Sequence, residues 1–215
     1  MAVVAIMGES GSGKTTAMRN LDPATTFYID ADMKGLSWKG WRSQYNAEAK
    51  NLLQNDDPRV VHAYIGQIVD KSKTIKTVVI DTMNGLMVAE DMRRSKEKSY
   101  DKWTDLASFV YNIVMEALDA DRKGCGIDFV FLFHAQTEKD DNGNTWTRIK
   151  TSGRKLDKIV LESKFTTVLL CKTVGNRHIF ETQSNFSTAK SPMGAFDEME
   201  IDNDIVPVLE ALKEY

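Results

Sequence analysis

The chain has 215 residues, of which 42% are apolar and 27% are charged, and its net charge is −3. These values are ordinary for a globular protein with one sizeable core, and they exclude a disordered chain or one that holds nucleic acid by overall charge. Cys125 and Cys171 lie far apart without the spacing of metal ligands, so neither a disulfide framework nor a zinc site is indicated. The apolar start is too short for a signal peptide or membrane span, and we expect a cytoplasmic protein with a single domain over residues 1–215.

The first half of the chain alternates strands and helices. Residues 2–6 are small, β-branched and apolar without alternation, which is typical of a strand buried on both faces of a parallel sheet. Apolar positions in residues 58–73 recur every three or four residues, which indicates an amphipathic helix. The remaining predictions are a helix over 14–21, a strand over 25–30, an irregular helix within 33–57 and a strand over 77–81.

The second half begins in the same way and then changes character. Helices are predicted over 83–95 and 100–123, followed by an apolar central strand over 127–133, a hairpin turn over 141–144 and a short helix over 155–163. Strands over 166–172 and 177–182 are joined by a short turn and should be antiparallel, and a closing helix covers 204–213. The pattern predicts an α/β fold with a mostly parallel sheet and an antiparallel C-terminal hairpin.

The string GESGSGKT fits the pattern G-x-x-x-x-G-K-[ST], with Gly8, Gly13, Lys14 and Thr15 at the fixed positions. Glycines let the main-chain N–H groups converge on a triphosphate, and the following helix adds its positive end. Lys14 should reach the β- and γ-phosphates, and the Thr15 hydroxyl should bind Mg²⁺. A plain glycine turn is the alternative, which the preceding buried strand disfavours. We therefore predict ATP and Mg²⁺ as ligands, with nucleotide contacts from Gly8, Glu9, Ser10, Gly11, Ser12, Gly13, Lys14, Thr15 and Thr16.

A second candidate residue is Asp81, which ends the apolar strand in TVVIDT. We expect its carboxylate one strand away from the phosphate loop, within reach of the same metal ion. Its alternative role is to cap the next helix. Many P-loop ATPases place a glutamate directly after this aspartate to polarise water, but Thr82 stands there, so a catalytic base must lie elsewhere.

Four strings in this order, GESGSGKTT, FYIDAD, VVIDTMNGL and FLFHAQ, resemble the RecA-like ATPase core. More closely, the chain resembles compact bacteriophage RecA-like ATPases implicated in single-strand DNA annealing and recombination, and the ending SPMGAFDEMEIDND is similar to proteins of that group. The resemblance implies a three-layer αβα core. It also implies that Asp32 takes the place of the catalytic glutamate, although Asp32 is one methylene shorter. A polar strand-to-loop junction at Asp30 and Asp32 is the alternative.

The same resemblance implies further functional residues. His134 or Gln136, expected to leave the sheet after the strand over 127–133, would sense the γ-phosphate; an ordinary loop histidine is the alternative. RecA-like ATPases assemble into rings or filaments in which a neighbouring subunit supplies a cation to the γ-phosphate. Lys190 resembles that element and Arg177 is the second candidate, with an ordinary exposed charge as the alternative for both.

A local basic excess follows the candidate sensor, inside an otherwise acidic protein. Single-stranded DNA is the expected partner, with Trp146 stacking on a base; a solvated basic face is the alternative. The DNA-binding candidates are Arg148, Lys150, Arg154, Lys155 and Lys158. A second basic run comprises Arg93, Arg94, Lys96 and Lys98. Trp38 and Trp41 are expected to pack in the core or in a lid.

These residues predict a Mg²⁺-dependent ATPase, and the resemblance together with the basic segment implies that it acts on single-stranded DNA in phage recombination or replication, in the host cytoplasm. Residues 33–57 and 137–164 would be its functional loops. A P-loop kinase acting on a small molecule and a non-hydrolysing nucleotide-switched scaffold are the competing classes. An AAA+ remodelling ATPase is disfavoured because little chain follows the sheet for a helical lid domain.

Overall fold

The computed structural model describes residues 1–98, 101–139, 142–151 and 160–215. Within these ranges nine strands form one sheet in the order β3-β2-β4-β5-β1-β7-β8-β9, and β6 pairs with β5. The strands are β1 (Val3–Gly8), β2 (Thr26–Asp30), β3 (Leu52–Gln54), β4 (Thr77–Asp81), β5 (Asp128–Lys139), β6 (Thr145–Ile149), β7 (Thr167–Val174), β8 (Arg177–Glu181) and β9 (Glu200–Asp202). The helices are α1 (Trp41–Gln44), α2 (Pro58–Lys71), α3 (Met83–Arg93), α4 (Asp101–Arg122) and α5 (Ile205–Ala211).

The sheet is parallel from β3 to β7 and antiparallel at β7, β8 and β9. Both of its faces are covered, because alternate residues of β1 enter different cores. Val3, Ala5 and Met7 pack with α2, α3 and α4, whereas Val4 and Ile6 pack with α5 and the segment after the phosphate loop. The predicted α/β fold, with three layers and an antiparallel C-terminal hairpin, is confirmed.

Helix starts follow from local sequence. Asp57 caps α2 by accepting a hydrogen bond from Arg59 N, and Pro58 occupies the first turn, where its missing N–H costs nothing. Thr82 caps α3 through Gly85 N, and Asp204 caps α5 through Val206 N. Each cap fixes the point at which a strand or loop turns into a helix.

The helix predicted over 14–21 is reduced to a 3₁₀ turn over Thr16–Met18. Only the bond from Ala17 N to Gly13 O has α-helical spacing, and the next turns close over three residues. The chain has to reverse here to enter β2, and the Arg19 guanidinium holds Thr16 O at 3.1 Å and Asn203 O at 2.6 Å. A helix dipole therefore adds less to the phosphate loop than the sequence led us to expect.

Strand β5 is longer than predicted and extends to Lys139, because β6 supplies an antiparallel partner. His134 and Gln136 therefore stay in the strand, contrary to the expectation that they leave the sheet. Three short strands, β3, β6 and β9, were not predicted. The turn predicted over 141–144 and the helix predicted over 155–163 lie partly outside the described residues, and the described end of the latter is a 3₁₀ turn over Leu161–Lys164.

Candidate nucleotide-binding site

The carboxyl ends of the parallel strands bring the predicted site residues to one edge of the sheet. Gly8 at the end of β1 is level with His134 in β5, and Asp30 at the end of β2 is level with Asp81 in β4. Strand β5 lies between β1 and β4, so Asp81 is two strands from the loop rather than one. Its side chain still reaches the loop.

The phosphate loop is held by contacts within the loop and to β7. Gly11 and Gly13 have φ of 81° and 101°, a region that favours glycine. A Cβ on Gly8 would lie 2.5 Å from Cys171 O, so only glycine allows this approach of β1 to β7. The Lys14 Nζ donates to Gly8 O and Glu9 O, both at 2.8 Å, and burial lowers the pKa of Lys14. The lysine is thereby positioned over the loop.

Asp81 joins three elements through one carboxylate oxygen. Its Oδ2 accepts hydrogen bonds from Thr15 Oγ1 at 2.7 Å and from Tyr28 Oη at 2.8 Å. The carboxylate is 1% exposed, and burial raises its pKa. Its Oδ1 is buried without a hydrogen-bond partner among the described residues.

These residues fit a magnesium ion. Mg²⁺ takes oxygen ligands and is commonly held by one carboxylate and a hydroxyl together with phosphate oxygens. Asp81 and Thr15 supply that pair, and the unpartnered Oδ1 is an acceptor that a cation would satisfy. A buried carboxylate whose charge is costly without a cation is a further indication of the same site.

The two aspartates after β2 have different surroundings. Asp30 is 1% exposed and accepts hydrogen bonds from Gly35 N at 2.8 Å and Gln54 Nε2 at 2.9 Å, so it anchors the following loop. Asp32 Oδ1 accepts a hydrogen bond from Thr82 Oγ1 at 3.0 Å, and its Oδ2 is 2.5 Å from Lys34 Nζ. A Cβ on Gly85 would lie 2.3 Å from Asp32 Oδ1, so α3 leaves space for this carboxylate only because residue 85 is glycine.

His134 and Gln136 differ in their position relative to the loop. His134 lines the cleft beside Lys14, and its pKa is lowered by burial and then by the Lys14 charge. Gln136 donates to Glu138 Oε1 at 2.8 Å further along β5 and does not line that cleft. His134 is therefore the better placed of the two sensor candidates.

The cleft over the loop has a volume of about 280 Å³. It contains four side chains that were not predicted as site residues, Lys34, Ser37, Thr82 and His178. Lys34 could have been predicted, because it lies two residues after the candidate catalytic residue Asp32. His178 comes from β8, and no sequence pattern places it near the phosphate loop. The residues lining the cleft are Ser10, Gly11, Gly13, Lys14, Thr15, Thr16, Lys34, Ser37, Thr82, His134 and His178. A larger hollow of about 610 Å³ borders Phe27 and Tyr64 but includes no phosphate-loop residue.

Asn84 is a further residue that the sequence did not reveal. It is 4% exposed; its Oδ1 accepts a hydrogen bond from His134 N at 2.7 Å, and its Nδ2 donates to Lys150 O at 2.9 Å. The first turn of α3 is thereby joined to the β5–β6 ribbon, which we define as residues 134–139 and 145–149, at His134 and at Lys150, the residue directly after the ribbon.

The predicted DNA-binding residues are not equivalent. Arg148 has a side chain only 15% exposed and is paired with Glu138 at 3.3 Å and Glu162 at 3.7 Å, so its charge is already offset within the chain. Lys150 is exposed and Trp146 is half-buried. Arg154, Lys155 and Lys158 lie outside the described residues.

The candidate in-trans cations lie away from the cleft of their own chain. Lys190 exchanges two main-chain hydrogen bonds of 2.8 Å with Val168, which is level with Ala5, well before the loop. Arg177 is exposed at the start of β8, beside His178. Neither lines the nucleotide cleft.

Four of the remaining sequence candidates, two arginines and two tryptophans, have structural partners, whereas Lys96 and Lys98 are exposed. Arg93 pairs with Glu90 and Asp56, and Arg94 pairs with Glu97 at 2.7 Å and Asp105 at 2.9 Å. Trp38 and Trp41 pack against the core that contains Val4 and Ile6, as expected. No helix within the described ranges is long and apolar enough to cross a membrane.

Comparison with known families bears on the whole of this arrangement. A family model described as an AAA domain matches residues 1–193, which include every strand from β1 to β8. None of the curated proteins matches the chain. The family name differs from the RecA-like resemblance drawn from the sequence, but the phosphate loop and the strand-ending aspartate are compatible with either. The chain therefore belongs to the AAA domain family of nucleotide-binding P-loop ATPases.

Proposed function

We propose that this protein is a Mg²⁺-dependent ATPase whose turnover is linked to single-stranded DNA. The observation that carries the ATPase part is the 2.7 Å hydrogen bond between Thr15 and Asp81. It brings together, beside Lys14, the two oxygen donors that a nucleotide-bound magnesium ion requires. When bound, the ion would neutralise charge that develops on the β- and γ-phosphates.

The hydrolytic step uses residues already in contact. Lys14 binds the β- and γ-phosphates, while the main-chain N–H groups of the loop surround the phosphate chain. Asp32, oriented by Thr82, accepts a proton from water as the water oxygen attacks the γ-phosphorus and the bond to the bridging oxygen breaks, leaving ADP. His134 lies next to Lys14 in the cleft and would contact the γ-phosphate side.

The DNA-binding part is supported by the β5–β6 ribbon, which continues directly from His134. The ribbon carries Trp146, and the exposed Lys150 follows it. An aromatic ring and a cation along one extended segment can stack a base and neutralise a phosphate. The main-chain bond from Lys150 N to His134 O, at 2.7 Å, links this surface to the nucleotide cleft.

We further propose that residues 1–215 act as one ATPase domain that self-associates as a ring or filament in the cytoplasm of a phage-infected cell. Residues 33–57 and 137–164 would be its functional loops, and Lys190 or Arg177 of a neighbouring copy would complete the cleft. Support comes from the position of both cations outside their own cleft, together with the resemblance to phage RecA-like ATPases.

Two competing functions make different predictions. A P-loop kinase would transfer the γ-phosphate to a small molecule bound near residues 35–57. A nucleotide-switched scaffold would bind ATP without turnover. The 3.0 Å hydrogen bond from Thr82 to Asp32 favours hydrolysis, because Thr82 lines the phosphate cleft and holds a carboxylate beside it.

The test is ATP turnover by the full chain with and without single-stranded DNA at several salt concentrations, with Lys14→Ala as the inactive variant. We expect Mg²⁺-dependent turnover that DNA stimulates at low salt and that Lys14→Ala abolishes. Turnover only in the presence of a small phosphate acceptor would support the kinase instead. Tight ATP binding without turnover would support the scaffold.

A further inference from the structure

We infer that Lys34 is a second phosphate-binding lysine of the same chain, one that contacts the γ-phosphate of ATP and thereby frees an oxygen of Asp32 for the attacking water. The inference rests on the proposed function and adds a residue that distinguishes ATP from ADP. It concerns a side chain four residues beyond the end of β2, outside the phosphate loop.

The backbone around Lys34 is fixed. Gly35 N donates to the buried Asp30 carboxylate at 2.8 Å, and the same oxygen accepts from Gln54 Nε2 in β3 at 2.9 Å. Gly35 has φ of 82° and lies against the Trp41 ring, where a Cβ would be 2.7 Å from the nearest ring carbon. The Lys34 backbone is therefore fixed beside the cleft by the Asp30 carboxylate and the Trp41 ring, which both contact the next residue, Gly35.

The side chain itself is free to change partner. It is 51% exposed and lines the cleft together with Lys14, Thr15 and His134. Its ammonium contacts Asp32 Oδ2 at 2.5 Å. Rotation about the side-chain bonds alone, without backbone movement, moves the ammonium between Asp32 and a phosphate in the cleft.

Electrostatics requires a cation at this position when ATP binds. The γ-phosphate brings negative charge towards the Asp32 carboxylate, and two like charges at such separations repel strongly in a partly buried cleft. Lys14 approaches the phosphates from the loop, where its ammonium donates to Gly8 O and Glu9 O and not to Asp32. Lys34 contacts Asp32 and lines the cleft that would hold the phosphate, so its charge can offset both anions.

The consequence for hydrolysis follows from the same contacts. While Lys34 pairs with Asp32, its ammonium occupies Asp32 Oδ2. Once the ammonium binds the γ-phosphate, that oxygen is open to a hydrogen bond from the attacking water, and Oδ1 keeps the hydrogen bond from Thr82.

The test compares affinities for ADP and for the slowly hydrolysed analogue ATPγS, both with Mg²⁺, by displacement of a fluorescent ADP analogue. The variant is Lys34→Met, and the matched control is Lys39→Met, an exposed lysine of the same loop that does not line the cleft. Thermal unfolding checks that each variant is folded.

We expect Lys34→Met to weaken ATPγS binding about tenfold, the size of one lost charge-assisted contact. ADP affinity should change little, Lys34→Arg should retain the preference, and Lys39→Met should match the unmodified protein. An unchanged ratio of ATPγS to ADP affinity in Lys34→Met, or an equal loss for both, would overturn this inference alone. Failure of the unmodified protein to bind either nucleotide would overturn the proposed function and this inference with it.

Discussion

The Thr15 hydroxyl and the Asp81 carboxylate are joined by a hydrogen bond of 2.7 Å, although β5 separates β4, which Asp81 ends, from β1, which leads into the phosphate loop. Tyr28 binds the same carboxylate oxygen from β2, so one oxygen connects the phosphate loop to two further strands. The other oxygen of Asp81 is buried without a described partner. The hydrogen bond between Thr15 and Asp81 fixes the loop and leaves Asp81 Oδ1 available to a cation.

Asp81→Asn should separate metal binding from folding. An asparagine keeps an acceptor for Thr15 and Tyr28 but removes a buried charge, and burial raises the pKa of this carboxyl. With a chelator present, the free energy of unfolding at neutral pH should therefore be unchanged or raised by about 1 kcal/mol. The stabilisation by Mg²⁺ and ATP in thermal unfolding should disappear.

The matched control for this change is Asp30→Asn, on the neighbouring strand, whose carboxylate binds Gly35 N and Gln54 Nε2. It should retain stabilisation by Mg²⁺ and ATP. Retention of the same stabilisation by Asp81→Asn would contradict the metal assignment.

Gly13→Ala should cost more than Gly11→Ala, although both residues lie in the phosphate loop. Both have positive φ, which costs an alanine about 1–2 kcal/mol. A Cβ at residue 13 would also lie 2.7 Å from His178 Cγ, whereas one at residue 11 meets nothing within 4 Å. Urea unfolding and nucleotide affinity should both show the difference. His178→Ala should restore part of the loss in Gly13→Ala, and no restoration would show that the contact is unimportant.

Asn84→Asp should weaken the connection between α3 and the β5–β6 ribbon. The aspartate still accepts from His134 N, but it loses the donor to Lys150 O and sets an acceptor against that carbonyl. The free energy of unfolding should fall by about 1–3 kcal/mol, and DNA stimulation of turnover should fall with it. Asn185→Asp, at an exposed position, is the control and should change neither quantity. A stable Asn84→Asp variant would exclude the connection.

Cys171 should make the free energy of unfolding depend on pH in the alkaline range. Its thiol donates to Ser12 O at 3.0 Å, and burial raises its pKa from 9.0 to about 11. A raised pKa means that the neutral thiol stabilises the fold below pH 9.0, and that this contribution is lost as the pH rises through about 11. Above pH 9.0, unfolding free energy should therefore fall less in Cys171→Ala than in the unmodified protein.

At pH 8, iodoacetamide should label the less buried Cys125 first and Cys171 only slowly, as read by peptide mass spectrometry. In urea-unfolded protein both thiols should react. Equal rates for the two thiols in the folded protein would show that the loop does not shield Cys171.

Much of the site could be predicted from sequence because the phosphate-loop pattern determines the backbone conformation of the loop. Glycines at fixed positions imply the turn, and the turn implies where Lys14 and Thr15 point. Asp81 was predictable for a related reason, since the carboxyl ends of parallel strands meet at one edge of the sheet. The position of β5 between β1 and β4 could not be predicted, because the packing of the whole chain determines the strand order.

Other features depend on contacts between distant segments. His178 reaches Gly13 only because β8 folds back on β7, and Arg148 is neutralised by Glu162, which lies outside its strand. The position of the Lys34 side chain depends on the positive φ angles of Met33 and Gly35. The spacing of apolar residues in the sequence does not reveal such backbone angles. Strands of three residues, such as β3 and β9, are too short for any alternation to be recognised.

Those two short strands stand at the opposite margins of the sheet. Each is three residues long, so each offers very few outward N–H and C=O groups to an incoming chain. Strand addition by a neighbouring molecule gains little there, and the protein is guarded against edge-to-edge aggregation. In any ring or filament of this protein, the contacts between subunits would consequently be made by side chains on helices and loops. Single substitutions at such contacts can dissociate the assembly without unfolding the subunit.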